Sequence, residues 1–197
     1  AKRLARKASK ELDLGSRPAT ALVGVLEDGY GIKIWYEDLG EEGSAASTIG
    51  PFGCAVLMNS AEAPWRRNFS LAHELFHLLT WQSILPERLL KDAALRHRVE
   101  QLANAFASSL LLPHEPLVDA FESRTKKDIV QYIDLVEIAR EFDVSTGALL
   151  YRLLDLRCLD EQTVESLRAN SAFRALDRST MRARWWRPAA IPERFVR

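Results

Sequence analysis

A chain of 197 residues, 47% hydrophobic and 27% charged, has the composition of a globular protein long enough to bury a core of its own. Its 27 basic and 27 acidic residues balance to a formal net charge of +0, so overall charge points neither towards nor away from a polyanionic partner. No apolar run reaches the length of a membrane span and no signal-peptide pattern opens the chain, which excludes a membrane partner and a secretory leader as expectations.

Cys54 and Cys158 stand far apart without a CxxC neighbour, and read as packed, reduced thiols of a cytoplasmic protein. The first residue is Ala1, not Met, which raises the expectation of a longer natural protein.

The opening AKRLARKASKELDLG predicts a basic amphipathic helix closed by Gly15. After Pro18, ALVGVLEDGYG predicts a second short helix that breaks at Gly29 and Gly31. IKIWYEDL alternates and is rich in β-formers, and SAASTIG and CAVLMNS follow between Gly and Pro turns. These segments predict a small antiparallel sheet of about three strands. Helices are expected over 68–81, 92–112, 114–124, 128–142, 145–157 and 161–170. A small sheet followed by a helical bundle is an α+β fold. The predicted organisation is an N-terminal helical arm at 1–18, a main domain at 19–160 with the helices of 128–157 packed on it, and an arginine-rich tail at 161–197.

The segment NFSLAHELFHLLTW, residues 68–81, is almost wholly apolar around a helical wheel, yet Ser70, His73, Glu74, His77 and Thr80 stack on one narrow face. A face turned merely to water would use Lys, Arg, Glu or Gln. Histidines at i and i+4 instead bring two imidazole nitrogens to one point, where Zn²⁺ accepts neutral His nitrogen at about 2.0–2.1 Å. Glu74, just after the first histidine, points slightly aside, as a general base must. The bland alternative, two cleft histidines spaced this way by chance, is weakened because the polar strip is confined to the motif.

A catalytic zinc needs a third protein ligand. A further His six residues after His77 is ruled out, since Ser83 sits there. RVEQLANAFASSLLLP supplies Glu100, with Asn104 one turn later able to hold a ligating His; His97, one turn earlier, competes as third ligand.

Together, RRNFSLAHELFHLLT and EQLANAFASSLLLP resemble the ImmA/IrrE family of zinc metallopeptidases, through Glu100, Ala103, Asn104, Phe106, Ala107, Leu110, Leu111 and Pro113. The resemblance covers roughly residues 20–160 and extends to VLMNS and VSTGALLYRLLDL. Phe76 stands where the family usually has Gly, and Leu112 where it has Met. Phe76 lies one position off the metal-facing strip, so it should alter packing or cleft width more than coordination.

The resemblance implies a small thermolysin-like (gluzincin-like) core binding Zn²⁺, with Mn²⁺ or another divalent transition metal as a substitute. It implies an endopeptidase that hydrolyses a protein substrate, a transcriptional repressor or other regulator, in a stress or phage response. Such domains are often fused to helix-turn-helix modules. In these terms His73, His77 and Glu100 are metal ligands, Glu74 is the catalytic base and later proton donor, and Asn104 supports from behind. Tyr151, His114 and Arg152 are candidates to stabilise an oxyanion.

LVEIAREFDVSTGALLYRLLDL has the cadence of a helix-turn-helix, but its second helix offers few side chains that read bases, so packing is the favoured reading. The tail carries Arg168, Arg174, Arg178, Arg182, Arg184, Arg187, Arg194 and Arg197 against Asp177 and Glu193. It reads as a packing arm through Trp185, Trp186 and Phe195, or as a weak, sequence-insensitive phosphate contact. The alternative for the whole chain is a non-catalytic DNA-binding or regulatory module with a residual metal site.

Overall fold

The structure, a computed structural model, describes residues 1–125 and 130–181. Helix α1 (Lys2–Glu11) buries Ala5 and Ala8 and turns its basic side chains outwards. The helix is closed by Asp13, left-handed at φ 48°, with Leu14 N donating to Ser9 O (3.1 Å), and not by Gly15 as expected; Gly15, at φ 65°, turns the connection that follows, and Pro18 starts α2 (Pro18–Gly24), which runs on through a π-helical turn at Val25–Gly29.

Strands β1 (Lys33–Glu37), β2 (Ala45–Gly50) and β3 (Gly53–Asn59) form one sheet in the order β1-β3-β2. The two-residue turn 51–52, closed by Gly53 at φ 95°, folds β2 and β3 into an antiparallel hairpin. β1 pairs with the other edge of β3 and runs parallel to it. The sheet is therefore mixed, which corrects the antiparallel expectation. The reason lies in the connection 38–44, which makes no tight hairpin. It passes over the end of β3 and spans two strand spacings, about 10 Å. Asn59, 2% exposed, stitches it down. Its amide nitrogen donates to Gly40 O (3.0 Å) and Gly43 O (2.8 Å), while its Oδ1 accepts from Leu39 N (3.3 Å) and Ala61 N (3.0 Å).

The helices that follow are α3 (Pro64–Thr80), α4 (Pro86–Lys91), α5 (Ala93–Leu111), α6 (His114–Arg124), α7 (Tyr132–Glu141), α8 (Thr146–Asp155), α9 (Glu161–Ala169) and α10 (Ser171–Met181). α3 begins a turn before residue 68, because Pro64 presets the first helical φ where the apolar periodicity has not yet begun. The single amphipathic turn of α4 was too short to register as a period. The helix expected at 128–142 begins at Tyr132 under a capping box of Gln131 and Asp134; residues 126–129 lie outside the described ones.

α10 is a further addition. It buries Phe173 and ties to α7 and α8 through Asp177, whose carboxylate accepts from Arg140 and from Thr146 Oγ1 (2.8 Å). The rest of the predicted tail, including Trp185, Trp186 and Phe195, lies outside the described residues. Residues 1–18 and 161–181 lend Ala5, Ala8, Leu14, Val164, Leu167 and Phe173 to the same core as the segment between them.

At the centre of that core α3 packs on α5, with α1 against α5 as well. Neither cysteine forms a disulfide, and burial, with Glu122 adding, pushes the Cys158 thiol up, towards the protonated and unreactive form. Among the described residues no helix is long and apolar enough to cross a membrane.

Candidate metal centre

Two polar anchors set α3 between the sheet and α8. Arg67, 3% exposed, donates from Nη1 to Ser60 O (3.1 Å) and Glu62 O (2.9 Å), at the end of β3. Asn68 Nδ2 donates to Asp143 O (3.0 Å) in the turn before α8. With α3 so fixed, Leu71, Ala72, Leu75, Phe76 and Leu78 go into the core, and His73 and His77 face α5 across a one-turn gap. Phe76 fills space against Phe106 of α5, ring centroids 5.6 Å apart, and touches the His77 ring edge-on. It is a packing residue.

From α5, Glu100 and Asn104 project one turn apart towards His73. His73 Nδ1 lies 3.0 Å from Asn104 Oδ1; a carbonyl oxygen only accepts, so Nδ1 donates, which leaves Nε2 as the ring atom that can offer a lone pair to a metal. That Nε2 stands 3.0 Å from Glu100 Oε2 and 3.1 Å from His77 Nε2, and His77 Nε2 stands 3.6 Å from Glu100 Oε1. Burial pushes the His77 imidazole below its ordinary value, with His73 adding and the Glu74 and Glu100 carboxylates opposing. A shift in that direction favours the neutral ring, the form that can offer a lone pair to a metal.

Three acceptors therefore converge, their ligating atoms all within 4.8 Å of one another. One proton satisfies one such contact; a divalent cation satisfies all three. Donors about 2.0–2.1 Å from a tetrahedral ion stand about 3.3–3.4 Å apart, and the separations here bracket that spacing. The donor set, two imidazoles and a carboxylate, suits zinc. His97 does not join it: it is exposed, and its Nε2 meets Gln101 Nε2 at 3.0 Å along α5.

Glu74, 9% exposed, turns the other way, towards β2, where Ser47 Oγ donates to its Oε2 at 2.6 Å. Ser47 was not among the residues singled out from sequence. Strand alternation puts it on one face with Ala45 and Ile49, but nothing local says which helix that face meets. β2 is also an edge strand. Asn59 N donates to Ser44 O (2.9 Å), so the alternate pairs of the ladder leave the peptide groups of Ala45, Ser47 and Ile49 aimed at the outer edge, with which no strand among the described residues pairs.

A cleft of about 660 Å³ lies over these groups, between β2, α3, α5 and the start of α8. His73, Glu74, Glu100 and Asn104 line it, with Trp65, Phe69, Val144, Ala148 and Tyr151 forming an apolar wall. Tyr151 is 49% exposed there, with the Arg168 guanidinium 5.0 Å from its ring centroid. His114 and Arg152 are not brought to this cleft; they line a separate hollow beneath α1. Arg152 is buried because its Nε donates to Leu112 O (3.1 Å) and its Nη1 to Asp155 Oδ2 (2.6 Å), which points the guanidinium away from Glu74. The exposed residues of α8 are Tyr151 and Asp155, the remainder being buried or half-buried.

A helix presenting His-Glu-x-x-His to a glutamate of the next helix, beside a small sheet with a free edge, has the layout of a metallopeptidase site. The chain belongs to the IrrE N-terminal-like domain family of peptidases, which matches residues 27–154. It is 32% identical over 132 residues to the radiation response metalloprotease IrrE of Deinococcus deserti, covering 64% of this chain and 43% of that protein. Against the Deinococcus radiodurans protein of the same name it is 32% identical over 106 residues, covering 51% of this chain and 30% of that one. The chain thus spans less than half the length of these curated relatives. A solved Mycobacterium tuberculosis transcriptional regulator shares the fold, with a TM-score of 0.57 at 20% identity, over 78% of this chain and 46% of that one.

Proposed function

We propose that the chain is a zinc-dependent endopeptidase of the cytoplasm that cleaves a regulatory protein, a repressor of a stress or phage response. The observation that carries this reading is the convergence of His73 Nε2, His77 Nε2 and a Glu100 oxygen beside a separate carboxylate, Glu74, that belongs to none of the three contacts. His73, His77 and Glu100 would hold a divalent ion, which would supply Lewis acidity at the cleft when bound. Glu74 would take a proton from a water as its oxygen attacks the carbonyl carbon. It would then hand the proton to the amide nitrogen as the C–N bond breaks. Asn104 keeps His73 in the tautomer that offers Nε2. Tyr151, which lines the same cleft, is the hydroxyl we assign to the developing oxyanion.

An extended substrate fits this arrangement. The outward-facing peptide groups of β2 offer a backbone ladder, and the apolar wall suits a bulky side chain next to the scissile bond. The names of the Deinococcus relatives, radiation response metalloproteases, support a stress-linked substrate. The test is to incubate a cell extract with the zinc-loaded chain and sequence the new protein N-termini. Termini that appear with the unmutated chain and not with Glu74→Gln identify the substrate. Identical sets from both would reject the peptidase reading.

A further inference from the structure

We propose that Ser47 is a positioning residue for Glu74, orienting the carboxylate from the strand along which substrate backbone is seated; this rests on the peptidase reading above. Glu74 is nearly buried, yet among the described residues it has one hydrogen-bond donor, Ser47 Oγ at 2.6 Å. That donor engages Oε2 and leaves Oε1 as the oxygen free to meet a proton. The two oxygens of a carboxylate are equivalent, so the bond does not choose between them; it fixes the rotation of the group, holding one oxygen against β2 and turning the other to the cleft.

Ser47 is suited to this by its place in the fold. It sits in mid-strand, where the side chain stands perpendicular to the sheet and has little freedom of direction. The strand itself is fixed by its ladder to β3, register Ser47 opposite Val56. The peptide group of the same residue faces the free edge. Seating a backbone on β2 and orienting the base are thus two acts of one residue, and a shift of the strand would move both together.

The experiment compares the full zinc-loaded chain with S47A and S47T. Three quantities are read: steady-state turnover of fluorescein-labelled casein, the dissociation constant of acetohydroxamate, and zinc affinity. Acetohydroxamate donates a hydrogen bond to an oriented carboxylate, so it reports on Glu74 without any turnover. S47A should lower kcat and weaken acetohydroxamate by roughly tenfold each, the value of one hydrogen bond to a charged group, with KM and zinc affinity unchanged. S47T should restore both. A residue that merely packs would change thermal stability and leave kcat and the hydroxamate alone. Unchanged kcat and acetohydroxamate affinity in S47A, or a rise in KM alone, overturns the proposal. Where casein is no substrate, the hydroxamate comparison decides by itself. An unmutated chain that takes up no zinc sinks the peptidase reading and this inference with it, a result distinct from a zinc-bound chain indifferent to S47A.

Discussion

Replacing Asn104 with alanine removes the acceptor of the His73 Nδ1 proton, a 3.0 Å contact, and touches nothing else in the site. Groups that orient a metal-binding histidine typically contribute ten- to a hundredfold in metal affinity, by holding the ring and fixing its tautomer. Here the lower figure applies. Asn104 is exposed on α5, so water can take its place as acceptor, while Ala103, Phe106 and Ala107 carry the packing of that helix. The expected loss is roughly tenfold in zinc affinity, about 1.4 kcal/mol. The metal-free protein should unfold at an unchanged midpoint, since alanine is the better helix former. Competition against a chromophoric zinc chelator at neutral pH measures the affinity, and urea unfolding of the stripped protein supplies the control. Asn104→Asp, which keeps an acceptor, should recover the loss. Wild-type affinity in Asn104→Ala would refute the reasoning, because it would mean that His73 needs no external hold.

Glu100→Gln should weaken zinc retention in the same competition assay, whereas Glu74→Gln should keep both zinc and fold, since Glu100 stands among the converging side chains and Glu74 does not. Phe76→Ala should destabilise by about 3 kcal/mol or more, read as a lowered urea midpoint, because a side chain 3% exposed leaves a cavity against Phe106. Burial raises the Asp155 carboxyl, but Lys2 and Arg152 outweigh it and hold the group below its usual value. A depressed folded pKa stabilises above the unfolded value, about pH 4, and that stabilisation is lost as pH falls through the folded one. Asp155→Asn should therefore flatten the acid limb of a plot of urea midpoint against pH; an unaltered limb would count against the Lys2–Asp155–Arg152 cluster.

The sequence made the site more legible than the fold around it. His73, Glu74 and His77 are separated by fixed helical offsets, so their relation depends on one local period and survives any error about distant elements. Glu100 had a rival in His97, because a helix shows which residues share a face but not which face meets its neighbour. The structure separates them by which side of α5 packs on α3. The same limit hid Ser47 and carried Arg152 and His114 into the wrong cleft. The sheet was misjudged for a related reason. Hairpin signals register at 50–53, but the insertion of β3 between β1 and β2 is set by Asn59 and the connection 38–44, a tertiary arrangement without a local period. α10 was masked by its arginines, which obscured the apolar spacing of Phe173 and Leu176.

His73, His77 and Glu100 are expected to hold one zinc ion together. The most direct measurement is elemental analysis of the purified chain, after zinc is supplied and the unbound excess is removed by gel filtration. The unmutated chain should retain about one zinc per molecule and His77→Ala essentially none, as expected for a site that needs three protein ligands. A chain that retains no transition metal, or a His77→Ala variant that retains as much as the parent, would contradict the account.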